Sequence, residues 1–383
     1  MTLFAFSPAE CLDLARWEGT PLFAYRRSCA GAAYARLRAA LPDRVRVAYA
    51  VKANPHPALL QTFAALGASF DCASGGELDR VARLQMPPGR LFYAGPGKRQ
   101  DELAQALAMG VRIQAEGWED LARLEALASS PVAVNLRVHP SGGIEEERPI
   151  LGGTGPSAFG VDEEDVPDLL DRARSLCRVR IEGIHVFAAS NQRSAERLLG
   201  THARVLALVQ GLSERFGLDL AQVDLGGGLG VPYAPGQPEL DVERLGRGLG
   251  DLLEAHAWFR GELVLEPGRF LAAGCGVYLA RVLRVKESRG VRFVILEGGI
   301  HHLLRPLLTG EPFPVAAPGG SGPERPATLA GPLCTSLDRL GDVLLPEVAP
   351  GQLLAFGMTG AYGFTEAMAP FLSHPPAKEC CVS

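Results

Sequence analysis

A lysine closes one of the apolar segments of the chain, Val47–Lys52, which continues as Ala-Asn-Pro-His-Pro. Burying an ammonium group is costly, so a lysine at the end of an apolar strand is unusual. Desolvation there would lower its pKa and make it a nucleophile towards carbonyl groups. Taken alone, a lysine whose stem packs on apolar side chains while its head reaches water explains the position better.

Two later segments carry groups that could hold a phosphate or a charged ring. Glycines 226–228 follow the apolar run at Gln222–Leu225, and backbone N–H groups of such turns can approach a phosphate. Their spacing does not fit the dinucleotide-binding pattern. In Glu266-Pro-Gly268-Arg269 an acid and an arginine flank a turn. The two side chains could form a plain surface ion pair, or the acid could pair with a pyridinium nitrogen and the arginine with a phosphate.

Two motifs near the C-terminus contain a cysteine and a tyrosine. These are Gly331-Pro-Leu-Cys334-Thr335, with Asp338 shortly after it, and Gly360-Ala-Tyr362-Gly-Phe. For each motif alone, a buried structural cysteine or tyrosine is the commoner explanation. None of these segments therefore identifies a site by itself.

The elements that must position these residues alternate between apolar runs and amphipathic stretches. Alternation of this kind predicts parallel strands separated by helices, and the clearest helix pattern spans Ala195–Leu212. Eight strands with helices between them predict an α/β fold, a (β/α)8 TIM barrel. The eight predicted strands are Val45–Val51, Ser69–Asp71, Arg90–Ala94, Val111–Gln114, Val132–Val138, Ile181–Phe187, Gln222–Leu225 and Glu262–Glu266.

The texture of the sequence changes after about residue 270. Predicted strands at Val277–Val285, Val291–Glu297, Thr328–Leu333 and Gln352–Phe356 are separated by Gly/Pro turns, and Glu311–Pro326 is typical of an irregular surface loop. We therefore expect a barrel over residues 25–270 and a β-domain made of residues 1–24 and 271–383. The final Cys-Cys-Val-Ser is expected to be a frayed tail, although it superficially matches a prenylation box.

Composition excludes several classes of protein. A net charge of −5 gives no electrostatic footprint for nucleic acid, and no apolar run is long enough to span a membrane. The eight cysteines form no CxxC pair, so we expect no metal site. Isolated thiols and an N-terminus without signal-peptide features favour a cytoplasmic location.

Taken together and in order, the motifs resemble those of the fold-type III pyridoxal-phosphate decarboxylases, which include the diaminopimelate, ornithine and arginine decarboxylases. The segment Ala48–Asn54 (AYAVKAN) resembles the lysine motif of that family, and Phe70–Leu78 (FDCASGGEL) resembles the motif of its next strand. GPLC with Asp338, and GAYGF, resemble its two β-domain motifs. The resemblance implies an alanine-racemase-like barrel, pyridoxal 5'-phosphate as cofactor, and decarboxylation of an amino acid or amino-acid derivative.

The resemblance also implies a role for each site residue. Lys52 would carry the cofactor, Asp71 and Arg137 would support the lysine and the polar edge of the ring, and Glu266 would pair with the ring nitrogen. Cys334 would donate a proton from the partner subunit's β-domain, which implies a homodimer with shared active sites. The expected phosphate ligands are Ser190, Gly226, Gly227, Gly228, Gly268, Arg269 and Tyr362.

Three positions bear on the cofactor ring and the substrate. Phe187 stands where the family usually has a histidine that stacks on the cofactor ring, and Thr335 stands where an acid usually meets a distal ammonium of the substrate. Arg305 resembles an arginine that contacts a distal carboxylate, with a surface arginine as the alternative. We therefore expect Arg305, Thr335 and Tyr362 to face an amino-acid-derived small molecule without a distal ammonium.

These departures resemble a specialised-biosynthesis branch of the family. Its members decarboxylate a glutamyl group held on a carrier protein, act on citrate-linked amino acids in siderophore assembly, or accompany exosortase genes. The alternatives are a diaminopimelate decarboxylase of lysine biosynthesis, an amino-acid racemase, and a catalytically dead homologue that binds the cofactor.

Overall fold

The computed structural model describes residues 2–141, 155–187 and 190–383. The chain divides into two compact units. One comprises Tyr34–Gly230 and Leu240–Gly268, and the other comprises Met1–Ala33, Val231–Glu239 and Arg269–Ser383. We call them the barrel unit and the β unit.

The barrel unit contains the parallel barrel that the sequence predicts. Neighbouring strands pair in parallel around a ring, and pairing between Arg112–Ala115 and Val132–His139 closes it. A two-residue strand, Val161–Asp162, pairs beside Val132–His139. The eight strands of the ring are Val45–Ala50, Ser69–Cys72, Leu91–Tyr93, Arg112–Ala115, Val132–His139, Val179–His185, Gln222–Asp224 and Glu262–Leu265.

Helices follow the strands, as expected for this fold. The helix predicted at Ala195–Leu212 extends to Phe216: Ser194 accepts the backbone N–H of Arg197 at its start, and Gly217 ends it in the left-handed conformation. The helix Arg27–Ala40 precedes the first strand of the ring, and its residues 27–33 are counted in the β unit. The helices after it are Pro57–Ala65, Gly75–Ala82, Gln100–Ala108, Trp118–Leu127, Val166–Ala173, Ala195–Phe216 and Val242–Ala255, with short 3-10 turns at Val51–Ala53 and Glu163–Asp165. Among the described residues, the structure has no helix with the length and apolar character needed to cross a membrane.

The β unit is a mixed sheet with little helix. Its N-terminal strand pairs antiparallel with Gly276–Ser288 and parallel with Lys378–Val382, so it binds the start of the chain to its end. The strands are Leu22–Arg26, Gly276–Ser288, Val291–Leu296, Val315–Ala316, Arg325–Ala330, Arg339–Leu345, Leu353–Phe356 and Lys378–Val382. The helices are Pro8–Trp17, Arg269–Ala272 and Arg305–Thr309, with 3-10 turns at Ala273–Cys275 and Phe371–Ser373.

Two expectations for the end of the chain need correction. The C-terminal residues are not frayed, because Lys378–Val382 is a strand paired with Leu22–Arg26, and Cys380 and Val382 pack on the core. The stretch Glu311–Pro326 is not wholly irregular: Val315–Ala316 pairs with Leu353–Phe356, and a strand begins at Arg325. All eight cysteines are free.

Strand register brings the polar residues of the barrel unit to one level. Asp71 pairs with Ala50, two residues before Lys52, and His185 pairs with both Arg137 and Asp224. These residues lie at or near the carboxyl ends of their strands, which is the end where barrels of this kind carry their chemistry.

Candidate active site

Lys52 lies in the short turn Val51–Ala53 that follows the first barrel strand. Its Nζ is 3.7 Å from Oδ2 of Asp71 and 5.7 Å from the centroid of the Phe187 ring. About a third of the Lys52 side chain is exposed, 34 %. Lys52 is therefore a partly exposed lysine whose amine lies near a buried acid and an aromatic ring.

Asp71 is fully enclosed by the barrel. Neither of its carboxylate oxygens has a hydrogen-bond partner among the described residues, since the Lys52 ammonium is beyond that distance. Burial raises the pKa of Asp71 well above its ordinary value, the nearby Glu266 adds to the rise, and Lys52 and Arg137 oppose it. Among the described residues, Asp71 thus has an ion-pair partner in Lys52 but no hydrogen bond to its carboxylate.

Glu266, His185 and Asp224 form a second buried group. One ring nitrogen of His185 and one carboxylate oxygen each of Asp224 and Glu266 lie within 4.8 Å of one another, and Nε2 of His185 is 3.5 Å from Oε2 of Glu266. Burial opposes ionisation of Glu266, but the attraction of His185 and then of Lys52 outweighs it and lowers the pKa of Glu266 to about 2. Burial and the neighbouring Glu266 raise the pKa of Asp224 well above its ordinary value. Of the two acids, Glu266 is therefore the one whose ionised form the site favours.

Asp224 is fixed by groups that the sequence did not single out. Nε2 of Gln114 donates to Oδ2 of Asp224 at 2.9 Å, and the backbone N–H of Gly226 donates to Oδ1 at 2.9 Å. Gly226 has a φ of +69°, and a Cβ there would lie 2.8 Å from the carbonyl oxygen of Val186. Because its N–H already donates to Asp224, Gly226 shapes the turn and does not offer that N–H to a ligand.

Arg137 is held by an acid that sequence reasoning also missed. Its Nη1 donates to Oε1 of Glu116 at 2.8 Å, and its guanidinium lies 4.6 Å from the centroid of the Phe159 ring. Glu116 also accepts the backbone N–H groups of Gly95 and Gly160. Glu116 follows the strand Arg112–Ala115, and an acid at a barrel strand end was the signal that could have identified it.

In the β unit, two of the predicted residues, Arg269 and Arg305, contact one tyrosine, Tyr233. Nη1 of Arg269 donates to Oη of Tyr233 at 2.8 Å, and the Arg269 guanidinium lies 4.6 Å from the centroid of the Tyr362 ring. The Arg305 guanidinium lies 4.5 Å from the Tyr233 ring centroid, and Arg305 is only 4 % exposed. Arg305 is therefore not a surface arginine, and it shares Tyr233 with Arg269.

Glu366 is an acid near these arginines that the sequence did not reveal. Burial raises the pKa of Glu366, and the positive charges of Arg269 and Arg305 act in the opposite direction. Oε2 of Glu311, half exposed, is 3.5 Å from Nη2 of Arg305. The two arginines thus have acidic neighbours within their own unit.

Cys334 is exposed on a tight turn of the β unit. Asp338 organises this turn, because its carboxylate accepts the backbone N–H groups of Leu333 and Ile300 at 2.8 and 2.7 Å. Oγ1 of Thr335 accepts the N–H of Leu337 at 3.3 Å. The Cys334 turn is therefore bound to the segment that leads into Arg305.

Among the other predicted phosphate ligands, Ser190 is half-buried and Gly268 is enclosed against Ala53 and Ala50.

Comparison with known proteins settles the family. Residues 31–273 match the family described as pyridoxal-dependent decarboxylase, pyridoxal binding domain. The chain belongs to this family. It is 31 % identical to the L-glutamyl-[BtrI acyl-carrier protein] decarboxylase of Niallia circulans, over 96 % of this chain and 90 % of that protein. It is 34 % identical to the diaminopimelate decarboxylase of Pseudomonas aeruginosa, over 95 % of this chain and 90 % of that protein.

A solved structure of the family has the same fold. Diaminopimelate decarboxylase from Helicobacter pylori, complexed with L-lysine, superposes with a TM-score of 0.89 at 26 % identity, over 97 % of this chain and 94 % of that one. This pyridoxal-dependent decarboxylase is accordingly a carboxy-lyase that uses pyridoxal phosphate, and the predicted fold, enzyme class and cofactor are confirmed.

The residues of the barrel unit fit this cofactor. Both oxygens of Asp71, Oε1 of Glu266 and both ring nitrogens of His185 are buried polar atoms without hydrogen-bond partners within the described part of the chain. An amine at Lys52, a charged carboxylate at Glu266 and an aromatic face at Phe187 supply the covalent, ionic and stacking contacts that a phosphorylated pyridine ring requires.

Asp71→Asn is expected to stabilise the cofactor-free decarboxylase, and more so at pH 8 than at pH 5. The pKa of Asp71 is raised above its ordinary value of 3.8, so the folded protein holds a proton that the unfolded chain releases, and stability is lost as the pH rises through the folded pKa. An amide cannot ionise and escapes that loss. Melting temperatures of both proteins without cofactor measure the difference.

The exposed Asp251, in helix Val242–Ala255, provides the matched control. Asp251→Asn is expected to change the melting temperature equally at the two pH values. If Asp71→Asn and the wild type differ in melting temperature by the same amount at pH 5 and at pH 8, Asp71 is ionised in the folded cofactor-free protein.

Proposed function

We propose that this enzyme removes the α-carboxylate of an amino-acid conjugate that carries a distal carboxylate or amide-linked group and no distal ammonium. A glutamyl group held on a carrier protein is the substrate class that we favour. The observation that carries this proposal is the burial of Arg305 against the face of Tyr233, because a buried guanidinium is suited to bind a planar carboxylate or carbonyl group.

In this proposal each residue has a defined task. Lys52 attaches the cofactor, whose ring, when bound, takes up the electron pair left by the departing carboxylate. Glu266, ionised at neutral pH, keeps the ring nitrogen protonated, Asp71 orients the Lys52 amine, and Arg137 supports the polar edge of the ring. The thiol of Cys334 then returns a proton to the carbon that lost its carboxylate.

Seven residues are proposed to form the site of the cofactor phosphate. They combine backbone N–H groups of glycine turns with a hydroxyl, a guanidinium and a phenol, which are common phosphate partners. They are Ser190, Gly226, Gly227, Gly228, Gly268, Arg269 and Tyr362, with Gly226 contributing through the shape of its turn. Phe187 stacks on the ring in place of a histidine.

Thr335 supports a substrate without a distal ammonium. Its hydroxyl already accepts a backbone N–H and cannot neutralise a charge. A buried ammonium without a partner costs several kcal/mol, or at least about a hundredfold in specificity. The similarity to a decarboxylase that acts on a carrier-linked glutamyl group agrees with this substrate class.

A diaminopimelate decarboxylase is the second candidate, and one observation favours it. Glu366 is a partly buried acid near both arginines, so it could meet a distal ammonium while Arg305 meets a distal carboxylate. Diaminopimelate carries both groups at its far end. The substrate panel below therefore includes it as the direct competitor.

The substrate experiment compares meso-diaminopimelate, ornithine, free glutamate, a glutamyl thioester on a carrier protein and a citrate-linked amino acid. We expect the thioester or the citrate conjugate to exceed the diamino acids by at least about a hundredfold in kcat/KM, measured as carbon dioxide release. Thr335→Glu should raise turnover of a diamino acid, and Thr335→Ser is the matched control that should not. Efficient turnover of meso-diaminopimelate by the wild type would contradict this proposal and assign the enzyme to lysine biosynthesis.

We also propose a homodimer in which Cys334 serves the active site of the partner subunit. Its exposure on the single chain supports this proposal, because a catalytic thiol must reach the reacting carbon. The cytoplasmic location stays a prediction.

A further inference from the structure

Tyr233 stands out as a buried tyrosine with no role in the predicted site. It lies in Val231–Glu239, the segment that follows the glycine turn and belongs to the β unit. The side chain is 4 % exposed. Its ring packs edge-on against Phe313 with centroids 5.8 Å apart, and its backbone N–H donates to Oε1 of Gln237 at 2.8 Å. Tyr233 therefore has one fixed position.

Two arginines use different parts of this tyrosine. Arg269 contacts the hydroxyl, with Nη1 at 2.8 Å from Oη, while its guanidinium carbon lies 5.9 Å from the ring centroid. Arg305 contacts the ring, with its guanidinium carbon 4.5 Å from the centroid. A charge-assisted hydrogen bond holds the first arginine and a cation–π contact holds the second.

We propose that Tyr233 is a positioning residue that aligns the phosphate contact and the substrate contact through one rigid side chain. Its hydroxyl orients Arg269 towards the cofactor phosphate, and its ring orients Arg305 towards the distal group of the substrate. This inference rests on the roles proposed above for the two arginines. It assigns to each half of Tyr233 a separate, measurable effect.

The two halves can be removed one at a time. Tyr233→Phe keeps the ring and deletes the hydroxyl, so it should weaken cofactor binding about tenfold, as for a lost hydrogen bond to a charged group, and leave binding at Arg305 unchanged. Tyr233→Leu deletes both the hydroxyl and the aromatic face. It should therefore weaken cofactor binding as Tyr233→Phe does, and should also weaken binding of a carboxylate at Arg305 about fivefold. Tyr93→Phe, which deletes a buried hydroxyl bonded to Glu102 at 3.0 Å, is the matched control.

The measurements are two dissociation constants. Pyridoxal phosphate is titrated into each cofactor-free variant and followed by fluorescence, and glutarate, a dicarboxylate probe for Arg305, is titrated into each cofactor-loaded variant by calorimetry. Tyr233→Phe is the decisive variant because it preserves packing, and circular dichroism verifies the fold of Tyr233→Leu. The control Tyr93→Phe should match the wild type in both constants.

Arg269→Ala and Arg305→Ala test the proposed roles of the two arginines separately from the positioning role of Tyr233. Arg269→Ala should weaken the cofactor, and Arg305→Ala should weaken glutarate. If they do not, the proposed roles are wrong and the inference falls with them. If both behave as expected while Tyr233→Phe binds the cofactor like the wild type, or weakens glutarate as strongly as the cofactor, the positioning role of Tyr233 alone is overturned.

Discussion

Lys52→Ala is expected to lower the rate of decarboxylation by about a thousandfold or more. Lys52 follows a barrel strand and lies near a buried acid and an aromatic face, and its loss removes the proposed cofactor attachment. The wild type with cofactor should absorb visible light, and borohydride should fix the cofactor to the Lys52 peptide, as mass spectrometry of a digest would show.

Lys286 provides the control for this experiment. It lies in the long strand Gly276–Ser288 of the β unit, and Lys286→Ala should keep wild-type absorbance and activity. Cofactor fixed by borohydride to Lys98, Lys286 or Lys378 instead of Lys52 would overturn the assignment. So would a folded wild type that stays colourless after cofactor is added.

Mixing Lys52→Ala with Cys334→Ala is expected to create activity from two nearly inactive proteins. Cys334→Ala alone should be slowed by about a hundredfold, since it lacks a positioned proton donor. If each active site of a symmetric dimer takes Lys52 from one subunit and Cys334 from the other, a mixed dimer contains one intact site. Random exchange should then restore roughly a quarter of wild-type activity.

The double variant Lys52→Ala/Cys334→Ala is the control. Mixed with the wild type it forms no intact site in a mixed dimer, so exchange should halve the activity of the wild-type input. Exchange is followed independently with a fluorescent label on one protein. Full exchange between the two single variants without any gain of activity would show that Lys52 and Cys334 act within one subunit.

Much of the barrel was predictable because its signal is local. Each buried parallel strand is a short run of apolar residues, so all eight strands were located from the sequence to within about two residues. The confirmed enzyme class and cofactor came from the order of short motifs such as AYAVKAN and GPLC. Such motifs are readable because the chemistry requires particular residue types a fixed number of residues apart.

The strand Lys378–Val382 shows what a local pattern cannot reveal. Its last three residues belong to the terminal Cys-Cys-Val-Ser, which was expected to be a frayed tail. It is ordered by a partner strand, Leu22–Arg26, more than 350 residues away. Pairing over that distance depends on the folded sheet, and no property of the five residues specifies it.

The sequence by itself determined the fold of the barrel, the family motifs and the candidates Lys52, Asp71, Glu266 and Arg305. Only the tertiary structure decided the surroundings of these groups: that Asp71 has no hydrogen bond among the described residues, that the pKa of Glu266 is lowered while that of Asp224 is raised, and that Arg305 is buried on Tyr233. The physical reason is that a pKa or a cation–π contact depends on burial and on neighbours from distant strands. Those neighbours come together only when the chain folds.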